Sequence, residues 1–403
     1  MRTPNFLLKP SAYKADTLYS ILPDDGGGDF AVASYVGNGT RVNSEGLIEA
    51  VASDTPRIDY HNGPGLLLEP TRKNQILRSY EFDNANWTKS AGCTVTADHS
   101  IAPNGVKEAC LIEDTTPAGT NESVWQDLTF DDATAEHTFS VFVKFNTAVD
   151  MYIRINGNVT GDLGAVELDR DGNVENIYYT DPMVTAFSSE YYGNGWWRVI
   201  MSVDLDNTDT SARLSIYTQR NPNEANSIWV WGAQLEEGAF ATSIIPTIGT
   251  ALTRAYDTLG TTSLITAGVL SSATPTSFFI LVKVQDLTYA NRDSANYLVN
   301  FGSTNGRVAI ASDGDSPLFY FTATDTSVNS YALTNTSHNL GLNMNGDGGI
   351  FYVDGVKVQT SVDNFSLTGG LLTLSGQAYS AKIKEIAIYN AYLTDAEAKA
   401  LTS

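Results

Sequence analysis

Ile228-Trp229-Val230-Trp231-Gly232-Ala233-Gln234-Leu235-Glu236-Glu237-Gly238-Ala239-Phe240-Ala241-Thr242-Ser243-Ile244-Ile245-Pro246-Thr247 is the stretch that decides the fold. Ile228 to Trp231 are four consecutive β-branched or aromatic residues, the composition of a strand buried on both faces. Gly232 and Gly238 are expected to punctuate it, and Pro246, which lacks a backbone donor, bars a continued ladder or helix. A central sandwich strand is therefore expected to end here. The chain then runs through Leu252-Thr253-Arg254-Ala255-Tyr256-Asp257-Thr258-Leu259 into a new unit.

The same vocabulary recurs on both sides of this strand. Upstream, Phe139–Phe145, Met151–Ile155, Ala165–Leu168, Trp197–Val203 and Ala212–Tyr217 read as short strands. Downstream, Phe278–Val284, Tyr297–Phe301, Val308–Ile310, Leu318–Thr322, Gly349–Val353, Leu371–Leu374 and Lys382–Tyr389 read likewise. Asn-Gly occurs seven times and Asp-Gly five, dipeptides that suit tight hairpin turns. Arg41–Glu49 reads as a hairpin about an Asn43-Ser44-Glu45-Gly46 turn, and Ile350–Val358 as another with Asp354-Gly355 at its tip. Only Leu393-Thr394-Asp395-Ala396-Glu397 starts a helix, with the spacing of a capping box. Many short strands without a long amphipathic helix predict an all-β chain of antiparallel sandwiches. Asn62-Gly63-Pro64-Gly65 marks a boundary before the first of them.

At 403 residues the chain is too long for one ordinary core. Its 46 acidic against 24 basic residues give a formal charge of -22, which disfavours nucleic acid and anionic membranes. Met1–Pro10 lacks the apolar core of a signal peptide, and Phe278–Val282 is too short to cross a bilayer. Cys93 and Cys110 cannot make a disulfide framework and read as reduced, packed thiols of a protein made in a reducing cytoplasm.

Two phrases carry a resemblance. Gly65-Leu66-Leu67-Leu68-Glu69-Pro70-Thr71-Arg72-Lys73-Asn74, with Ser79-Tyr80-Glu81-Phe82 and Asn86-Trp87-Thr88-Lys89-Ser90, opens it. Trp231–Gly238, Ala241-Thr242-Ser243, Ile245-Pro246-Thr247 and Thr253-Arg254-Ala255 close it. Together they resemble the carbohydrate-binding-module-like jelly roll of bacteriophage fibre and appendage proteins. Residues 276–403 resemble a concanavalin A-like, laminin-G-type sandwich in the 350–358 hairpin and the closing strand and helix. Residues 1–64 resemble the leader that precedes such modules, with too little apolar surface to stand alone.

The resemblance implies a virion-attachment segment (1–64), a jelly roll (65–257) and a laminin-G-type sandwich (258–403). It implies a head- or tail-fibre protein of the virion that is not an enzyme. Such a protein docks to other virion proteins through its N-terminal segment and binds a host surface glycan or protein, as a homotrimer. The rival reading is a purely structural decoration protein of capsid, collar or tail, and behind it a polysaccharide depolymerase.

Candidate chemistry is sparse. All six tryptophans, Trp87, Trp125, Trp196, Trp197, Trp229 and Trp231, lie in the middle module, where burial in a sandwich core explains them as well as sugar stacking does. Trp197, with Tyr191 and Tyr192 nearby, is the best exposed glycan-binding candidate. Asp313 and Asp315 are the calcium candidates, although turn chemistry explains Asp313-Gly314-Asp315 equally well; no other cofactor is expected. Asp169–Asn173 has Val174 where an EF-hand loop needs glycine and reads as a hairpin turn. Glu167-Leu168-Asp169 approaches a glycosidase strand motif but meets Gly172 where a second Glu is needed. Arg72, Lys73 and Arg78 form a small basic cluster suited to salt bridges and stem packing. The four histidines show no metal spacing, and no catalytic constellation emerges.

Overall fold

The computed structural model describes residues 2–10, 13–14, 17–30, 33–34, 37–116, 122–132, 134–178, 184–205, 209–219, 225–270, 277–289, 297–302, 307–312, 317–324, 327–345, 348–360 and 370–403. The chain is all-β apart from one helix among these residues, and it forms two compact units. One unit comprises residues 38–50 and 72–254, the other 1–37, 51–71 and 255–403.

The 72–254 unit is a sandwich of two six-stranded antiparallel sheets. The first runs Thr88–Lys89, Ser123–Thr129, Ser211–Tyr217, Asp150–Gly157, Asp162–Asp169, Val174–Tyr178. The second runs Cys93–Ile101, Lys107–Asp114, Ser227–Glu237, Glu136–Phe145, Trp197–Asp204, Val184–Tyr191. Successive strands cross repeatedly between the sheets, in the manner of a jelly roll. Strand alternation fills the interior with apolar side chains, among them Val124, Ile153, Val166, Leu214, Ile216, Val230 and Leu235.

The deciding strand is central, as its composition predicts, between Lys107–Asp114 and Glu136–Phe145. It does not end at Gly232. It continues to Glu237 through a bulge opposite Ser140–Phe142, where Gly232 takes φ +62 and lies against the Phe142 ring. Polar residues of the opening and closing phrases fasten the segment that follows. Asn74 Nδ2 donates to the carbonyls of Ala233 (3.2 Å) and Ile245 (2.9 Å), and its Oδ1 accepts from Leu235 N (3.1 Å). Gln234 Oε1 accepts from Ile245 N (2.6 Å), and Glu236 Oε2 from Thr242 N (2.9 Å).

The outer face of the second sheet is covered. Phe142, Trp196 and Trp231 are buried with Ile244 and with Val42 and Ile48 of the Thr40–Val42/Ile48–Ala50 hairpin. Tyr80 stacks on Trp231 at 4.5 Å.

The other unit pairs an eight-stranded sheet with a seven-stranded one around a separate core. The closing strand Tyr379–Tyr389 is central: Phe278–Tyr289 lies on one side, and Phe6–Leu8 and Gly65–Leu68 share the other. Ala33–Ser34 joins the second sheet beside Thr258–Ser263. Residues 1–37 and 51–64 are therefore built into this sandwich, and Phe6, Leu8, Leu18, Phe30 and Ile58 are buried in its core. Asn62-Gly63-Pro64 turns between two strands of one sheet, Ile58–Asp59 and Gly65–Leu68, and the compact units change over at 71/72 and 254/255.

The Asp395–Thr402 helix packs through Ala398 and Leu401 on Phe279, Leu281 and Tyr389. Its capping box is formed as predicted: Thr394 Oγ1 accepts from Glu397 N, and the Glu397 carboxylate accepts from Thr394 N at 2.9 Å.

Candidate functional site

The first sheet of the 72–254 unit turns a different set of side chains outward. Because Val124, Ile153, Val166, Leu214 and Ile216 face the core, their neighbours face away. Cross-strand register then aligns three rows. One reads Trp125, Ser215, Arg154, Ala165, Tyr178; a second Tyr217, Tyr152, Glu167, Asn176; a third Asp127, Arg213, Asn156, Asp162. The first row crosses five strands, about 19 Å at ordinary strand spacing. Its second and fourth positions, Ser215 and Ala165, are small, and larger side chains rise at its centre, Arg154, and at both ends.

Arg154, Arg213, Asp127, Asp162 and Glu167 on this face are each oriented by a neighbour. Tyr152 and Tyr217 stack with ring centroids 4.1 Å apart and an interplanar angle of 6°. Arg213 lies 4.7 Å from the centroid of the Trp125 ring and grips Asp127 through two bonds of 2.8 and 3.1 Å. Arg154 Nε donates to Asp162 Oδ1 (2.5 Å), which also accepts from Asn156 Nδ2 (2.8 Å). Glu167 Oε2 accepts from Tyr178 Oη (2.5 Å) and Asn176 Nδ2 (2.9 Å). Burial works against the Arg154 charge, but Asp162, with Tyr217 behind it, outweighs burial and holds the guanidinium above its ordinary pKa. The Asp127 hydrogen bond does the same for Arg213.

Tyr152, Ser215 and Glu167 are buried at the middle of the face. Trp125, Arg154, Tyr178 and Tyr217 are half-buried, and Asp127, Asn176 and Arg213 are exposed at the rim. Aromatic rings beside planar, pre-oriented donors and acceptors can stack on the apolar face of a sugar ring and hydrogen-bond its hydroxyls. Among the described residues, Asp127, Asp162 and Glu167 of this face each accept hydrogen bonds from neighbours.

The residues singled out from sequence are placed differently. Tyr191 and Trp197 are cross-strand partners with ring centroids 4.8 Å apart. Tyr191 is 51% exposed, but Trp197 packs partly into the sandwich core, and a Cβ on Gly172 would fall 2.4 Å from its indole. The 169–173 turn thus covers one face of that ring. This is the hairpin turn predicted there: the Asp169 carboxylate accepts from the backbone N–H of Asp171 (2.9 Å) and Asn173 (2.7 Å). Tyr192 leaves on the opposite side of the strand, edge-on to Phe142 at 4.9 Å. Asp313 and Asp315 lie outside the described residues.

Of the basic cluster, Lys73 pairs with Asp131 (2.7 Å), Arg78 with Glu81 (2.8 Å), and Arg72 lies over Phe240. Among the described residues no three His, Cys, Asp or Glu side chains converge as metal ligands. The outer face itself escapes a search for tryptophans, since Trp125 is its only one. The available signal is the alternation in Ser123–Thr129, Asp150–Gly157 and Ser211–Tyr217, where Val124, Met151, Ile153, Ile155, Ala212 and Ile216 are each followed by an aromatic or planar polar residue.

No protein-family model and no curated relative matches the chain. Solved structures similar to parts of it include a sialidase CBM40 of Ruminococcus gnavus bound to alpha2,3 sialyllactose, at 14% identity and a TM-score of 0.27 over 34% of this chain and 88% of that one. The binding domain of Botulinum Neurotoxin DC in complex with SialylT is 14% identical, with a TM-score of 0.29 over 36% and 39% of the two chains. Domain 4 of a GH43 extracellular arabinanase from Geobacillus stearothermophilus, in complex with arabinotriose, is 13% identical, with a TM-score of 0.27 over 33% and 68%. Scores this low carry nothing about ligand or partner over to the present chain.

Proposed function

We propose that the chain is a glycan-binding adhesion protein of a bacteriophage virion, a head or tail fibre, and that the outer face of the first sheet in the 72–254 unit takes the glycan. The observation that carries the reading is the register-aligned face from Trp125 to Tyr178, in which aromatic rings and fixed hydrogen-bonding groups lie together on rigid strands. Tyr191, exposed beside Trp197, is a second contact in the same proposal. The phage assignment rests on the two sequence phrases. Such a protein acts as a homotrimer, whose repeated weak sites gain from effective concentration. Docking to other virion proteins through residues 1–64 would use exposed parts of that segment, because Phe6, Leu8, Leu18, Phe30 and Ile58 are already committed to a core. With a charge of -22 the reading includes neither nucleic acid nor membrane insertion, and it assigns no reaction.

The test is binding of the purified chain to intact host cells and to surface polysaccharide. Trp125→Ala combined with Tyr178→Ala is expected to weaken binding at least tenfold and to leave the melting temperature of the unit within a few degrees. Tyr191→Ala is expected to weaken it less. Wild-type binding by the double variant would refute this face as the site. Absence of any binding by the wild-type oligomer would favour the structural-decoration reading, and release of reducing ends would favour the depolymerase.

A further inference from the structure

The two six-stranded sheets of the 72–254 unit have four edges, and three of them are short or broken. Thr88–Lys89 is two residues long, Val174–Tyr178 is five with a shift in register, and Cys93–Ile101 is interrupted by two shifts. The fourth, Val184–Tyr191, is eight residues long, shifts only between Val184 and Ala186, and carries a single charge, Glu190. It contains neither proline nor lysine, the residues that ordinarily block an open edge. Among the described residues no strand pairs with its outer side.

One hydrogen bond fixes the phase of this strand. Tyr192 N donates to Trp196 O (2.9 Å), at the turn end of the ladder with Trp197–Asp204. Backbone groups alternate in direction along an antiparallel strand. Ala186, Ser188 and Glu190 therefore turn theirs towards Trp197–Asp204, and Phe187, Ser189 and Tyr191 turn theirs outward. Side chains sort by the same alternation. Phe187, Ser189 and Tyr191 lie opposite Met201, Val199 and Trp197, which face the core. Phe187 and Tyr191 nevertheless remain 44% and 51% exposed. The sandwich thus ends on this side with core-facing aromatic surface that its own strands leave open.

We propose that this edge pairs with the same edge of a second copy of the chain, antiparallel about a two-fold axis at Ser189. Outward backbone groups must meet outward ones, so Phe187 faces the second copy's Tyr191, and Ser188 faces its Glu190. This register sets aromatic against aromatic and puts no like charges directly opposite. An axis at Glu190 would oppose the two carboxylates. One at Ser188 would run the pairing into the irregularity between Val184 and Ala186 and set both rings against smaller side chains. Self-complementarity is what selects a second copy over another extended segment. Charge points the same way: copies of a chain with formal charge -22 repel, and on the joined strands the only charge of each, Glu190, lies opposite a serine. The pairing does not rest on the glycan reading. The Trp125–Tyr178 row belongs to the other sheet and takes no part, whereas Tyr191 is taken up by the partner strand. Being two-fold, the contact makes dimers of single chains, or joins homotrimers in pairs.

The experiment is sedimentation equilibrium of the full chain over a wide range of concentration, because a single added strand makes a small and therefore weak interface. The apparent mass is expected to rise with concentration from one copy towards two, or from three towards six where the homotrimer forms. A mass fixed at one copy or at three would overturn the pairing, and only the absence of any three-copy species bears on the homotrimer. Phe187→Lys puts an ammonium into the aromatic contact, and Ser189→Pro removes the central outward N–H without touching the existing ladder. Each is expected to weaken association at least tenfold and to melt near the wild type; should Ser189→Pro fail to fold, Phe187→Lys decides alone. Ser188→Lys is expected to strengthen association several-fold, since its ammonium lies opposite the second copy's Glu190. Equal weakening by Ser188→Lys and Phe187→Lys would overturn the register. Wild-type association in Phe187→Lys would place the contact elsewhere and overturn the proposal.

Discussion

Arg57→Met is expected to be among the most damaging single substitutions in the unit that contains residues 255–403. Arg57 is fully buried, and its two acid partners, Glu69 and Asp257, have side chains only 4% and 7% exposed. The guanidinium donates Nη1 to Glu69 Oε2 (2.7 Å) and Nε to Asp257 Oδ1 (2.9 Å), and Nη2 contacts Asp257 Oδ2 as well. Asp257 Oδ2 also accepts from Glu69 N at 2.7 Å, so all three side chains form one network. Methionine fills similar volume but leaves two buried carboxylates without their shared cation. Breaking a buried pair in this way costs about 3–5 kcal/mol. In a unit of about 150–250 residues each kcal/mol shifts Tm by about 2–4 °C, which gives a fall of roughly 6–20 °C. The two units can be followed separately, since all six tryptophans lie within residues 72–254. Far-UV circular dichroism should show the early transition, while tryptophan fluorescence reports the other unit. Arg57→Met with Glu69→Gln and Asp257→Asn should recover much of the loss, because no buried charge is then uncompensated. A loss below about 1 kcal/mol in the single variant, or a triple variant no better than the single, would refute the electrostatic reasoning.

Burial above all raises the Cys93 and Cys110 thiols, to about 12 and about 11. At pH 8 a thiol reagent should therefore label neither in the folded chain and both after unfolding, and fast labelling of the native protein would contradict this packing. His137 is buried with Nδ1 2.9 Å from Ala135 O, and burial holds its pKa below the ordinary imidazole value. The unfolded chain then binds the proton first, so the stability that His137 contributes is complete above about pH 6.5 and is lost as pH falls from there towards the lower folded value. Melting curves between pH 8 and 5 should show this loss and His137→Leu should flatten it; identical pH profiles would rule it out.

Much of the strand inventory is legible because it follows from local chemistry. The alternation in Ile383–Tyr389 and the Asn43–Gly46 turn describe near neighbours in the chain, and both form as read. The Trp197 choice turns on something non-local. Nothing near Trp197 in sequence says that Gly172, twenty-five positions upstream, will lie against its indole. The N-terminal segment is similar: Phe6 and Ile58 are too sparse to build a core locally, and they find one on a strand more than three hundred residues away. The outer face needs register as well as alternation. Trp125 and Tyr178 belong to one row only because three strands lie in a particular order between theirs.

The closing phrase, which carries most of the sequence resemblance, has an internal task. Asn74, Gln234, Glu236, Thr242 and Thr247 are all buried, and their hydrogen bonds hold the 242–247 segment against the central strand. None of them belongs to the outer face. The side chains that would meet a ligand come instead from Ser123–Thr129, Asp150–Gly157, Asp162–Asp169 and Ser211–Tyr217, whose inward positions need only be apolar. On the proposed reading, fold and recognition are thus carried by different residues. A chain bearing the same phrase is expected to share the sandwich while its outward residues, free to vary without disturbing the clamp, set which ligand it takes.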